Sequence, residues 1–330
     1  MKEKRSAGIL GTGRYVPERV LTNHDLEKMV DTSDEWIVTR TGIKERRIAA
    51  PDQASSDLGL AAAQAALADA NISAEQLDLV VVATVTPDHA FPSTASIIQH
   101  KLGAVNAGAY DLSAGCSGFV YALCTAAAMI QSGAMDYVLV VGAETLSKIV
   151  DWTDRSTCVL FGDGAGAVVL GPVGSGYGLV SSVLGSDGSG AELLCVAAGG
   201  SRRPASPQTV EAKQHFLSMH GNEVFKFAVR IMDEASNLVL AKAGLSSQDV
   251  DLFIPHQANI RIIEAAAKRL GLPMERVYVN VDAYGNTSAA SIPIALDEAH
   301  KQGLIRGDSY TLLVGFGAGL TWAAAILRWE

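Results

Sequence analysis

Short, nearly unbroken apolar runs alternate along this chain with longer Ala-rich stretches. Leu79 to Thr84, Tyr137 to Gly142, Leu252 to Pro255 and Tyr310 to Gly315 carry the pattern of strands buried on both faces. Between them the spacing predicts helices over Ala95 to Leu102, Ser117 to Ser132, Ile260 to Leu270 and Ser288 to Lys301, with further strands ending at Asp111-Leu112 and near Val277 to Val281. The order repeats. Leu67-Ala-Asp-Ala-Asn-Ile-Ser-Ala-Glu-Gln-Leu-Asp-Leu79 reads almost like Leu240-Ala-Lys-Ala-Gly-Leu-Ser-Ser-Gln-Asp-Val-Asp-Leu252, 173 positions later. Helices alternating with apolar strands imply parallel sheets covered on both faces. Two such halves predict a five-layered α-β-α-β-α body, pseudo-duplicated, divided into 1–173 and 174–330 at the turn-rich Gly171 to Gly178. Gly185 to Gly190 and Ala198 to Thr209 read as long surface loops.

Composition agrees with a thick core of small residues. Of 330 residues 48% are hydrophobic, 18% charged and 6% aromatic, with 32 glycines, where an ordinary domain carries about 25% charged residues. A net charge of -9 and a pI near 5.3 argue against a nucleic-acid binder. Mean hydropathy is +0.21, yet no apolar run is long enough to span a bilayer. Met1 to Arg5 and the Gly-rich segment after it lack the marks of a secretion signal, so the chain reads as cytoplasmic. Cys116, Cys124, Cys158 and Cys195 form no Cys-x-x-Cys pair, and the seven histidines show no His-x-x-x-His spacing, so no disulfide scaffold and no metal site is expected. Gly11-Thr-Gly13 imitates a dinucleotide fingerprint, but Val16-Pro17 stands where its third glycine belongs.

Three residues stand where chemistry is expected. Cys116 lies where a strand gives way to an apolar helix, so unpaired N–H groups and the helix dipole should favour its thiolate. Flanking glycines would let a substrate carbonyl reach the backbone, the setting of a nucleophile beside an oxyanion hole. A cysteine in an apolar helix can equally be a small buried hydrophobe, a description that suits Cys124 and Cys158 better. His256 follows the strand ending at Pro255, at the repeat position of Ala83, and strand ends of parallel sheets are where ligands bind. Asn286 precedes the second half's small-residue helix and reads as the counterpart of Cys116; alone it would pass for a helix cap. Arg261, Lys268 and Arg269 share one helix face, either solvated or docking an acidic partner.

Asp111-Leu-Ser-Ala-Gly-Cys-Ser-Gly-Phe119, His256-Gln-Ala-Asn259, Gly285-Asn-Thr-Ser-Ala-Ala-Ser291 and Gly315-Phe-Gly-Ala-Gly-Leu-Thr-Trp322 closely resemble the motifs of the bacterial β-ketoacyl-acyl carrier protein synthase III family, of the thiolase-like fold. The resemblance covers essentially the whole chain. It implies a Cys116, His256, Asn286 triad, a homodimer, and the condensation that starts type II fatty acid synthesis: acyl-CoA, with acetyl-CoA the expected primer, followed by malonyl-acyl carrier protein. CoA thioester is then a substrate, and no cofactor is implied. Trp36 and Arg155 resemble the pair that sandwiches the CoA adenine, Arg40 a phosphate contact, and Asn222 and Asn259 the lining of the pantetheine tunnel. Gln257, Ala258, Asn259, Ile260 and Arg261 resemble the carrier-protein-binding segment, helped by Lys226 and Lys268. Phe91 resembles the residue that crosses the dimer interface to close the partner's acyl pocket. The backbone N–H groups of Cys116 and Ala318 would form the oxyanion hole; the family tail more often has Gly at 318, and a side chain there narrows the allowed backbone angles.

Neighbouring chemistries fit less well. A degradative thiolase needs a second cysteine near its C-terminus, and none follows Cys195. Elongating ketosynthases carry a second His where Asn286 stands, and plant-type polyketide synthases usually run longer. A specialised acyltransferase of secondary metabolism shares the triad. A papain-type Cys-His-Asn hydrolase has the same residue order but not the doubled α/β pattern.

Overall fold

The computed structural model describes residues 5–330; residues 1–4, part of the stretch read above for a secretion signal, lie outside the described residues. In chain order the strands are β1 (Ser6–Tyr15), β2 (Arg19–Thr22), β3 (Glu45–Ile48), β4 (Leu79–Ala83), β5 (Gly108–Leu112), β6 (Val138–Glu144), β7 (Gly164–Val173), β8 (Gly178–Ser186), β9 (Leu194–Val196), β10 (Leu217–Met219), β11 (Leu252–Pro255), β12 (Tyr310–Gly317) and β13 (Thr321–Arg328). One sheet runs β1-β7-β6-β4-β5, the other β11-β12-β13-β8, while β2-β3 and β9-β10 are separate antiparallel pairs. Every strand of the first large sheet precedes residue 174, and every strand of the second follows it.

The helices Gly118–Gln131 and Ser291–Lys301 lie between the sheets, and their Ala, Ile and Leu side chains join those of both inner faces in one core cluster. Ser55–Ala70 and Thr94–Leu102 cover the outer face of the first sheet. Gly221–Ala243 and Ile260–Leu270 cover the second. This is the five-layered, thiolase-like arrangement.

The 173-residue repeat extends to individual hydrogen bonds. Asn71 and Gly244 both end their helices in the left-handed conformation, and Ser73 and Ser246 both open a capped single turn. Asp78 then exchanges bonds with the Tyr137 backbone, as Asp251 does with Tyr310. Each aspartate thereby pins the start of the neighbouring strand.

Two expectations need correction. The sheets are mixed: β4 pairs in parallel with β5 and β6, and β11 with β12, but β7, β1, β13 and β8 are antiparallel additions. Only Ala318 to Leu320 separate β12 from β13, too few residues for a parallel crossover. No strand forms over Val277 to Val281. Val277 makes one isolated bridge to Phe253, after which Gln257 takes the ladder's place: its side chain accepts from Asn280 N–H at 3.0 Å and donates to the Tyr278 carbonyl at 3.0 Å. Of the two segments expected as loops, residues 198–206 carry no helix or strand, while a turn over Gly188–Leu193 and a helix over Pro207–Glu211 overlap the ends of the ranges.

Candidate active site

Cys116 sits on a single 3-10 turn, Gly115–Ser117, that leads into the central helix. The end of β12 packs onto this turn: a Cβ on Gly317 would lie 2.3 Å from the Cys116 nitrogen, and one on Gly115 would lie 2.6 Å from the Ala318 nitrogen. Gly115 also has φ +53°, which disfavours any side chain. These two glycines bring the Cys116 and Ala318 backbones together. Ala318 itself lies outside the positive-φ region, so its methyl costs no strain, and the narrowing expected there has no consequence.

Burial opposes the helix dipole at this sulfur. Cys116 is 7% exposed, and desolvation pushes its thiol up to about 12.

The matching turn of the second half is Ser288–Ala290, 173 residues after Gly115–Ser117. It places Ala289, not Asn286, opposite Cys116 in the repeat. Asn286 precedes the turn and is held by its own backbone, which donates to the Leu160 carbonyl and accepts from Gly162 N–H. Its Oδ1 accepts from Ser288 N–H at 2.8 Å. With the oxygen committed, the amide NH2 is the group left for the cavity.

His256 follows β11, its N–H donating to Val314 of β12 and its ring edge-on to Phe316 at 5.2 Å. It is 1% exposed, and burial lowers it to about 3, so the imidazole is neutral. Ser291 Oγ lies 2.6 Å from Nδ1 and also receives Gln257 N–H at 3.4 Å. A hydroxyl that accepts from Gln257 turns its own proton toward Nδ1, which assigns the ring proton to Nε2.

Cys116, His256 and Asn286 line one cavity of about 90 Å³, together with Met219, Phe225, Asn259 and Phe316. Cys116 also borders a second, apolar chamber of about 220 Å³ walled by Val85, Leu146, Ile149, Leu194, Cys195 and Leu217, among others. The thiol thus stands between a passage with polar groups at its inner end and a greasy chamber.

Residues 110–188 match the 3-oxoacyl-[acyl-carrier-protein] synthase III family, and residues 240–329 match that family's C-terminal domain. A β-ketoacyl-[acyl-carrier-protein] synthase III from Caldanaerobacter subterraneus subsp. tengcongensis is 62% identical over 330 residues, covering 100% of both chains. The chain belongs to the 3-oxoacyl-[acyl-carrier-protein] synthase III family. Among solved structures, the synthase III of Thermus thermophilus is 56% identical with a TM-score of 0.91, covering 98% of this chain and 99% of that one. A priming β-ketosynthase of the R1128 polyketide pathway is 41% identical with a TM-score of 0.92, covering 100% and 98%.

Against the family's pattern, the remaining residues fall into three groups. At the outer end, the Arg155 guanidinium lies 5.2 Å from the Trp36 ring centre and Arg40 5.9 Å. A flat ring between two planes needs roughly 7 Å, twice the usual carbon contact, so any ring stacked between Trp36 and Arg155 would require Arg155 to move away. Asn259 lines the passage, but its Oδ1 caps the helix Ile260–Leu270 and its amide donates to the Arg40 carbonyl. Asn222 is exposed and does not line the passage, whereas its neighbours Gly221, Val224 and Phe225 do.

The second group is the carrier segment. Gln257 is 1% exposed and spends its amide inside the protein, so it is no surface contact. Ala258, Asn259 and Ile260 are half-buried, while Arg261, Lys226 and Lys268 are exposed. Arg261 stacks 5.3 Å from the Phe225 ring, which lines the passage, so its charge stands at the mouth.

The third group is the chamber. Phe91 is 87% exposed and forms no part of its own chain's chamber. The walls that sequence reading missed come from β9, β10 and the turn at Leu146. Alternation in Leu194-Cys-Val196 and Leu217-Ser-Met219 was the available signal, but strands of three residues are too short to register. Among the described residues no cluster of His, Cys, Asp and Glu could hold a metal, and no helix is long and apolar enough to cross a membrane.

Proposed function

We propose that this condensing acyltransferase transfers an acyl group from CoA to Cys116 and condenses it with malonyl-acyl carrier protein. The observation that carries the reading is the position of Cys116 between the passage bearing His256 and Asn286 and the apolar chamber. The thioester enters with its acyl chain in the chamber. Cys116 sulfur attacks the carbonyl, and the N–H groups of Cys116 and Ala318 hold the oxyanion. CoA leaves as thiolate and takes a proton from solvent. Malonyl-carrier protein then threads the same passage, guided by Arg261, Lys226 and Lys268 against an acidic partner.

Loss of CO2 leaves an enolate whose thioester oxygen receives hydrogen bonds from His256 Nε2–H and the Asn286 NH2. Its carbon attacks the acyl-Cys116 carbonyl, expelling the sulfur and releasing 3-oxoacyl-carrier protein. A neutral imidazole suits this role because it donates without adding a charge that burial would oppose. Residues 1–173 supply the nucleophile, 174–330 the two donors, and Phe91 of a second copy would bound the chamber. The likeness to a priming ketosynthase of a polyketide pathway keeps a second reading, the same chemistry starting a secondary metabolite.

The test is incubation with acetyl-, branched and longer acyl-CoAs, then peptide mass mapping. An acyl group on Cys116 that malonyl-carrier protein removes supports the proposal. Full acyl labelling of Cys116→Ser would refute it.

A further inference from the structure

Both oxyanion donors proposed above are backbone N–H groups, and they lie on opposite sides of a seam between two segments far apart in sequence. The turn Gly115–Ser117 carries Cys116, and the link from β12 to β13 carries Ala318. Both residues border the apolar chamber. Whether the two N–H groups aim at one point depends on how the segments are held together.

Glycine packing brings the backbones into contact without fixing their rotation. The space a Cβ would need at Gly115 is filled by the Ala318 backbone, at Gly315 by Ser117 and Cys116, and at Gly317 by Cys116 and Gly115. Van der Waals contact of this kind limits approach but has little direction. Among the described residues no backbone-to-backbone hydrogen bond joins residues 114–118 to 315–320.

Two hydroxyls make the directional bonds. Thr321 opens β13, and its Oγ1 donates to the Ala114 carbonyl at 2.8 Å, across the seam, and to the Ala318 carbonyl at 3.0 Å, on its own side. Ser117 Oγ lies 2.9 Å from Thr321 Oγ1 and 2.7 Å from the Ala114 carbonyl, with its proton available to either. One Thr321 proton facing two carbonyls makes a three-centred bond. By donating to Thr321 Oγ1, Ser117 turns that proton away from itself and toward the carbonyls. The clasp therefore ties the residue two before Cys116 to the residue that bears the second N–H. Neither Ser117 nor Thr321 lines the chamber or the passage, so neither hydroxyl is placed to touch substrate.

We propose that Thr321, oriented by Ser117, is the positioning residue of the oxyanion hole: its hydroxyl holds the Cys116 and Ala318 N–H groups at the angle where both reach one oxygen. This rests on Cys116 being the nucleophile and on those two N–H groups being the donors. The hydroxyl acts through the backbone alone, without moving a proton. A tetrahedral oxyanion forms when sulfur attacks the CoA thioester and again when the enolate carbon attacks acyl-Cys116, so a slackened hole slows both steps. Alkylation of the same sulfur by iodoacetamide displaces iodide from a saturated carbon and forms no oxyanion. It reports the nucleophile without the hole.

Thr321→Val keeps the branched shape and removes the hydroxyl, whereas Thr321→Ser keeps the hydroxyl. Single-turnover acylation by acetyl-CoA and alkylation by iodoacetamide are both followed by mass on the Cys116 peptide. In Thr321→Val, acylation at saturating acetyl-CoA should fall at least tenfold, short of the 10²–10³ lost when a donor is removed outright. Its half-saturation for acetyl-CoA and its alkylation rate should stay within about threefold of wild type, the split expected when only the transition state is affected. Thr321→Ser should acylate within about threefold of wild type, since the bonded group is kept. Ser117→Ala should follow Thr321→Val and serves if that variant fails to fold. Wild-type acylation in Thr321→Val, equal loss of acylation and alkylation, or a Thr321→Ser as slow as Thr321→Val overturns the clasp. A wild-type protein alkylated at Cys116 but never acylated there overturns the function proposed above instead.

Discussion

Asn286 is the residue whose loss should separate the two half-reactions. Its Oδ1 is fixed on Ser288 N–H at 2.8 Å, so in Asn286→Ala the cavity loses one aimed N–H donor and Ser288 N–H loses its acceptor. Removing a donor of the oxyanion-hole kind costs about 2.7–4 kcal/mol, or 10²–10³ in rate. That penalty should fall on condensation, where charge develops on the thioester oxygen. A buried N–H left unpaired costs about 1–3 kcal/mol of stability, to be read as a lower Tm. Asn286→Asp separates these effects, because a carboxylate oxygen can still accept from Ser288 N–H while the cavity loses its donor. Both variants should therefore condense at least a hundredfold more slowly, and Asn286→Asp should prime within about threefold of wild type. The assay follows acyl-Cys116 by mass and CO2 release from malonyl-carrier protein in parallel. Equal losses in both half-reactions of Asn286→Asp, or condensation at wild-type rate, would refute the reasoning.

Arg261→Glu should raise the KM for the carrier substrate several-fold, more at low salt, and leave priming intact, since its charge stands at the mouth beside Phe225. Gln257→Ala should do the reverse: carrier KM unchanged, but Tm lowered by the loss of buried bonds to Pro255, Tyr278 and Asn280, each about 1–3 kcal/mol when a partner is left unpaired. Arg155→Ala should raise the KM for acyl-CoA up to roughly tenfold, the loss of one cation–π or stacking contact, and CoA should shift Trp36 fluorescence in the wild type as Arg155 swings off the ring. His256, lowered from 6.5 to about 3 in the folded protein, makes the unfolded chain bind more protons below pH 6.5. Stability is therefore fully present above pH 6.5 and is lost as pH falls toward 3, with a slope up to about 1.4 kcal/mol per pH unit from this group. Tm measured from pH 7 to 4.5 should fall less steeply in His256→Gln, and identical slopes would exclude His256 as the cause.

The duplication was legible because its signal is local. Helix cap, single turn and strand-pinning aspartate lie within a dozen residues of one another, so Asn71 to Leu79 and Gly244 to Leu252 repeat the same bonds in the same order. The site is different, because it forms where the copies have diverged. Counting along the repeat pairs Cys116 with Ala289, and Asn286 was mispaired with Cys116 because a turn former before a small-residue helix looks the same at either position. The missing strand after Pro255 has the same origin. Val277 to Asn280 retain strand-like composition, but Gln257 reaches into the sheet and takes the bonds a strand would have made, a substitution that strand periodicity cannot register.

Charge states were the least legible, since composition says nothing of what surrounds one atom. The helix start argues for a thiolate at Cys116, whereas burial against the second copy's turn pushes the thiol up. That turn also packs on β6, whose last residue, the buried Glu144, is in sequence only the polar end of an apolar strand. Setting two copies face to face therefore does two things at once: it converges His256 and Asn286 of one half on the Cys116 of the other, and it buries that nucleophile against the second copy's turn.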